Sequence, residues 1–217
     1  MSNYLRLKKM LYIVSLAAVS IVLSLIEIVW IVPAFSFLKI DFSEVAILVA
    51  LLVLGTKETF IVVLIRTIAR RLFRGFAPDE LVGELLAVFA SFSIILGYAI
   101  AKKLLGINEK PLFYEVSVNN NKIHLKEFIV TTACITLSLS FILWAVNYFF
   151  ATPFYFSYFT GDIKFSVFSW IPNAQFPNYS SFLWFTVAGY FPFNITKGIL
   201  VSIIFLIIKP RLKYLEL

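Results

Sequence analysis

Residues 10 to 32 read MLYIVSLAAVSIVLSLIEIVWIV, with Glu27 the one charged side chain among them. A helix needs roughly 20 apolar residues to cross a hydrocarbon layer about 30 Å thick, and this run supplies them. It is too long for the core of a cleaved leader and lacks an obvious small-residue cleavage site, so it reads as a retained first helix. Glu27 falls near the end of the run, where a carboxylate can snorkel to the interface.

Outward from that run, the same chemistry recurs. Of the 217 residues, 61% are hydrophobic and 14% charged, against roughly half and a quarter in soluble domains. Apolar stretches alternate with short polar segments that hold most of the Lys and Arg. Helices are predicted over about 10–32, 44–55, 58–72, 80–101, 127–150 and 182–208. This is an all-α, integral membrane six-helix bundle, and with no internal repeat or low-complexity tract it forms a single transmembrane domain over 1–217.

Two of these helices are short. Val45 to Leu54 would measure about 15 Å, half the hydrocarbon thickness. Gly55, Thr56, Lys57 and Glu58 interrupt it, and the next apolar helix carries Arg66 in its interior. Short, interrupted helices suit a protein-lined cavity better than bulk lipid. Pro192 is expected to bend the last helix and free a carbonyl. The loop from Pro33 to Asp41, with Phe35, Phe37 and Leu38, is apolar enough to fold back onto something. The segment 102–127 is polar and holds Asn119, Asn120 and Asn121. The segment 151–181, rich in Phe and Tyr and punctuated by Pro153, Pro172 and Pro177, resembles an interfacial lid.

The net charge of +7 is ordinary for a multispanning protein, where basic residues sit at the membrane surface rather than on nucleic acid. An even number of spans puts both termini on one side. Arg6, Lys8, Lys9, Lys209, Arg211 and Lys213 make that side cytoplasmic, and Lys102, Lys103, Lys110, Lys122 and Lys126 place the long polar loop there too. Arg70, Arg71 and Arg74 then fall outside, against the positive-inside trend. They require a local purpose or a different helix count.

No phosphate-binding G-x-x-x-x-G-K-[ST], H-E-x-x-H or G-x-S-x-G occurs, so energy must come from partners or gradients and no catalytic constellation is legible. Cys134 lies in an apolar run as a packing residue, and His124 in a polar loop as a solvated one. What remains is a polar set at helix ends: Asn147 closing the fifth helix, and Asn194 with Lys197 opening the sixth. A spacing of three puts the latter two on one face. Amides donate and accept while an ammonium donates, so the trio can bind the carbonyl and imide edge of a planar heterocycle. Phe149, Phe191 and Phe193 can supply apolar walls. In the plainer alternative, Asn147 and Lys197 snorkel to the interface. Glu84 either faces a cavity or pairs with Arg66. Ala17, Ser20 and Ser24 form a small-residue stripe, for packing within the chain or for docking a partner.

Three stretches carry a family resemblance: FLKIDFSE from Phe37 to Glu44, Asn147-Tyr148-Phe149, and PFNITKG from Pro192 to Gly198, with Gly83-Glu84 as a weaker echo. In order and spacing over nearly its whole length, the chain resembles the S components of energy-coupling factor transporters, and among them the riboflavin-binding type. The resemblance implies six helices, cytoplasmic termini and a ligand pocket near the outer surface, closed by the loop after the first helix. It implies no cofactor, only riboflavin as the transported ligand. The partners it implies are a transmembrane coupling protein and two ATP-binding cassette ATPases, which supply the missing phosphate loop.

The resemblance further places Asn147, Asn194 and Lys197 against the isoalloxazine ring, with Lys39, Asp41, Phe42 and Glu84 as additional substrate-binding positions. It assigns docking of the coupling protein to Ala17, Ala18, Ser20 and Ser24. Two departures stand out. The 151–181 segment is longer and more aromatic than expected, and Arg70-Arg71 is an unusual outer pair. Both sit where a phosphate tail can be read, which keeps flavin mononucleotide beside riboflavin. The remaining readings are an S component for another vitamin, a membrane-embedded lipid or prenyl enzyme relying on Glu84 or Asp41 and a metal, and a passive channel.

Overall fold

Polar breaks in the hydropathy become helix boundaries in the computed structural model, which describes residues 3–32, 35, 37–107, 111–114 and 125–212. Pro33, Lys110, Asn119, Asn120, Asn121, Lys122, His124 and Lys213 lie outside the described residues. In chain order the elements are α1 (Asn3–Leu25), β1 (Ile28–Val29), β2 (Lys39–Ile40), α2 (Ser43–Leu54), α3 (Thr56–Arg74) and α4 (Pro78–Leu105). A 3₁₀ turn at Leu112–Tyr114 is followed by α5 (Leu125–Thr160), which contains a wide π-type turn at Asn147–Ala151, then α6 (Val167–Trp170) and α7 (Tyr179–Leu212). Four of these, α1, α4, α5 and α7, are long and apolar enough to cross a membrane.

Local chemistry sets the breaks. Gly55 and Gly75 adopt φ of 93° and 88°, values that a side chain disfavours, and they end α2 and α3. Pro78 opens α4 with Asp79 and Glu80 in its first turn, and Lys102 and Lys103 occupy its last. That arrangement complements the helix dipole at both ends.

Three expectations shift. The first helix begins near the N-terminus and stops at Leu25, because the β-branched Ile28 and Val29 form a strand that pairs Ile28 with Ile40 and Val29 with Lys39. The fifth continues through Pro153 to Thr160, into what reads as a loop. The last runs unbroken through Pro192 and Pro210, and the Thr196 hydroxyl donates to the Pro192 carbonyl at 2.9 Å.

Ten of the twelve residues of α2 are buried, so this short helix lies inside the bundle rather than against lipid. Around it the core gathers Ile47, Leu48, Val62, Ile94, Ile135, Leu139, Val201 and Phe205. Small residues let the long helices touch backbone to backbone. A methyl group on Gly97 would lie 2.6 Å from Ile135 Cα, and one on Gly198 2.8 Å from Thr136 Cα. Ion pairs bind the ends: Lys9 with Glu58 and Lys209 with Glu127 at one, Glu27 with Lys39 and Arg74 at the other.

The small-residue stripe of α1 turns inward. Ala17, Ser20 and Ser24 are buried, α1 packs on α2 and α3, and the Ser20 hydroxyl donates to the Ser43 carbonyl at 3.2 Å. Ala17, Ser20 and Ser24 thus pack within their own chain. Ala18 alone of the four is exposed.

Candidate functional site

Ionisable groups in a mostly apolar bundle are costly unless paired, so their partners define its polar interior. Arg66 is 0% exposed, and its partner is Glu44 rather than Glu84. Nη1 reaches Glu44 Oε1 at 3.3 Å, Nη2 reaches the Ser91 hydroxyl at 2.9 Å, and that hydroxyl donates to Glu44 Oε2 at 2.9 Å. The network ties α2, α3 and α4 together. Glu84 instead contacts Arg70 Nε at 3.4 Å and Arg71 Nη2 at 3.2 Å, and Arg71 also pairs with Glu80 at 3.2 Å. Arg70, Arg71 and Arg74 thus have a local purpose: with Arg74 on Glu27, each faces a carboxylate.

Asp41 stands between these charges and α7. One carboxylate oxygen accepts from the amide of Ser43 at 3.0 Å and from its hydroxyl, and the other lies 3.4 Å from Lys197 Nζ. Burial alone would raise the Asp41 pKa. Lys197, the two Ser43 bonds and Arg70 outweigh it and hold the carboxyl at about 2. Glu27 behaves alike: burial pushes its pKa up, and Lys39 and Arg74 bring it below the ordinary value.

One turn before Lys197, Asn194 is 1% exposed, and neither its Oδ1 nor its Nδ2 has a hydrogen-bond partner among the described residues. Lys197 is itself only 6% exposed. Both belong to the inner face of α7 that also buries Tyr190 and Val201. Asn147 is buried at the start of the π-type turn, its Nδ2 donating to the Leu143 carbonyl at 2.8 Å. It lies on the stretch of α5 that meets α7, between Trp144, bonded to Thr186 at 3.3 Å, and Thr152, bonded to the Tyr190 hydroxyl at 2.7 Å.

The segment after α1 covers this face. Trp30 meets Phe193 edge to face at 5.5 Å, and Phe35 meets Phe185 at 4.9 Å. Phe35 seats so closely on Gly189 that a methyl group there would overlap its ring. This segment is therefore pinned by the aromatic contacts of Trp30 and Phe35 and by Asp41 on Lys197.

Of the further expected positions, Asp41 joins Lys197 directly, while Glu84 pairs with Arg70 and Arg71. Lys39 does not join them: it is exposed and pairs with Glu27 at 2.7 Å. Phe42 packs against the main core instead. A cavity of about 730 Å³ lies at the opposite end of the bundle, between α2, α3 and α4, lined by Leu52, Gly55, Phe60, Phe92, Tyr98 and Lys102 among others. Its walls are mostly apolar, with Thr56, Tyr98 and Lys102 as polar members and no side-chain amide to fix a polar heterocycle.

A sequence-family profile described as ECF transporter, substrate-specific component, matches residues 8–209. The chain belongs to this family. It is 28% identical over 206 residues to the riboflavin transporter RibU of Streptococcus thermophilus, covering 95% of this chain and 83% of that one. With the riboflavin transporter FmnP of Bacillus subtilis it shares 25% identity, covering 96% and 94%. With RibU of Staphylococcus aureus it shares 28%, covering 94% and 90%. A solved structure of the S component of a bacterial ECF transporter superposes with a TM-score of 0.62 at 24% identity, covering 95% of this chain and 96% of that one, and shows the shared fold.

As an S component, the chain is a multipass membrane protein that selects a substrate and is not an enzyme. Sequence reading missed the Arg66–Glu44 pairing and the contact of Arg70 with Glu84. The available signal was charge inside apolar segments: Arg66, Glu44, Arg70 and Glu84 all sit in or beside hydrophobic runs, and spacing along one chain does not reveal which cross-helix partners meet.

Proposed function

We propose that this S component captures riboflavin, or flavin mononucleotide, from outside the cell and delivers it inward as part of an ECF importer. The observation that carries the reading is Asn194: a deeply buried amide with both polar atoms unbonded, one turn from a buried ammonium, beneath an aromatic lid. An amide left so costs about 1–3 kcal/mol, a cost recovered when a ring carbonyl and imide N–H fill both atoms. Asn147 and Lys197 complete the set of groups for the isoalloxazine edge, with Trp30 and Phe193 as apolar walls. The riboflavin transporters among its relatives support the choice of flavin.

In this reading the chain is one transmembrane domain of six membrane helices, α1 to α5 and α7, with cytoplasmic termini and the lid outside. A transmembrane coupling protein and two ATP-binding cassette ATPases provide the energy. Purified protein should carry yellow colour and quench riboflavin fluorescence. Asn194→Ala and Lys197→Ala should each weaken binding by about 100-fold or more, as when a site built for a polar edge loses its partner. Wild-type protein that quenches neither riboflavin nor flavin mononucleotide refutes the flavin assignment.

A further inference from the structure

Near Asp41, the C-terminal end of α3 and the first turns of α4 present a second polar group set. Arg70 is 8% exposed and Glu84 4%. Their contact, Nε to Oε2 at 3.4 Å, lacks hydrogen-bond alignment. Arg70 Nε and Nη1 and both Glu84 oxygens have no hydrogen-bond partner among the described residues. Arg71 differs, since its terminal nitrogens bond the Gly75 carbonyl and Glu80. Unbonded buried donors and acceptors side by side are rare in a finished core. They adjoin the heterocycle site: Arg66, one turn before Arg70 on α3, donates to the Ser43 hydroxyl at 3.3 Å, the Ser43 amide donates to Asp41 at 3.0 Å, and Asp41 holds Lys197.

We infer that Arg70 and Glu84 form a tail subsite, which reads the hydroxyl-rich side chain of the flavin and disfavours an anionic one; this rests on the flavin reading above. A hydroxyl donates and accepts at once, so successive hydroxyls can bond Arg70 and Glu84 together. A phosphate only accepts: it would suit Arg70 but meet Glu84 and Asp41 as like charges. The local charges also balance, Arg70, Arg71 and Lys197 facing Asp41, Glu80 and Glu84. An anion would find no net positive field there. Between the two ligands that sequence leaves open, the neutral one fits.

The test compares lumiflavin, which carries a methyl group in place of the polyol, with riboflavin and flavin mononucleotide by fluorescence quenching on the full chain in detergent. Wild type should bind riboflavin about tenfold or more tighter than either of the others, the scale of one charged hydrogen bond. Arg70→Gln and Glu84→Gln should lower riboflavin affinity by about tenfold while lumiflavin changes less than about twofold, and Glu84→Gln should narrow the gap between riboflavin and flavin mononucleotide. Equal wild-type affinity for lumiflavin and riboflavin overturns the subsite while leaving the flavin reading intact. So does a parallel loss of both ligands in the variants, which would mark the pair as structural. The wild-type series decides even if a variant does not fold. Failure of all three flavins to bind would remove the flavin reading, and the subsite with it.

Discussion

Arg66 and Arg70 sit one turn apart on α3, both buried and both facing a glutamate, yet only one is finished. Arg66 closes a ring through Glu44 and Ser91 and also bonds the Ala87 carbonyl at 3.3 Å, leaving only its Nε without a partner. Arg70 touches Glu84 without aligned bonds. The same residue type on the same face thus serves two ends. A saturated network fixes how α2, α3 and α4 meet, and an unsaturated one leaves donors and acceptors that, in the inference above, the flavin tail completes.

The largest test of that contrast is Arg66→Met, which strands the Glu44 charge in the core. It should cost about 3–5 kcal/mol of stability, read as loss of folded protein or a large drop in unfolding midpoint in mild detergent. Arg70→Met should lower the midpoint far less in the absence of flavin, because Glu84 keeps Arg71 at 3.2 Å. Equal destabilisation would erase the distinction. A smaller effect is expected at the lid. Gly189→Ala drives a methyl group into the Phe35 ring, and overpacking of this kind costs about 1–3 kcal/mol. It should speed flavin release by about tenfold in stopped-flow quenching, with little change in the association rate.

The smallest effect is with pH. Asp41 is held below its ordinary value, so the stabilisation its ion pair contributes is complete above about pH 4 and is lost only as pH falls toward about 2. Flavin affinity should stay flat from pH 8 to pH 5. An inflection between pH 5 and 7 would show that Asp41 is not tied to Lys197 as described.

Burial of long apolar runs made the helices legible, since hydropathy alone marks the segments that later become α1 to α5 and α7. It misjudged where α1 stops because Ile28 and Val29 are as apolar in a strand as in a helix, and only the pairing with Lys39 and Ile40 separates the two. Asn194 and Lys197 were readable because three-residue spacing fixes a shared face. The partner of Arg66 was not: Glu44 and Glu84 lie in different helices, and which one faces Arg66 depends on helix rotation that no local pattern records. The stripe of Ala17, Ser20 and Ser24 was visible, but small residues look alike whether they await a partner or already touch Ser43.

The π-type turn at the head of the fifth helix's outer third closes with a bond from the Thr152 amide to the Asn147 carbonyl, so it holds one residue more than a regular turn. Each residue of a helix is worth about 100° of rotation. Removing a single position there would swing Thr152 off Tyr190 and reface every aromatic ring beyond it, while Asn147 and the helix below kept their places. The aromatic cluster beyond Asn147 can therefore be re-aimed by a one-residue insertion or deletion, leaving the first two thirds of the helix untouched.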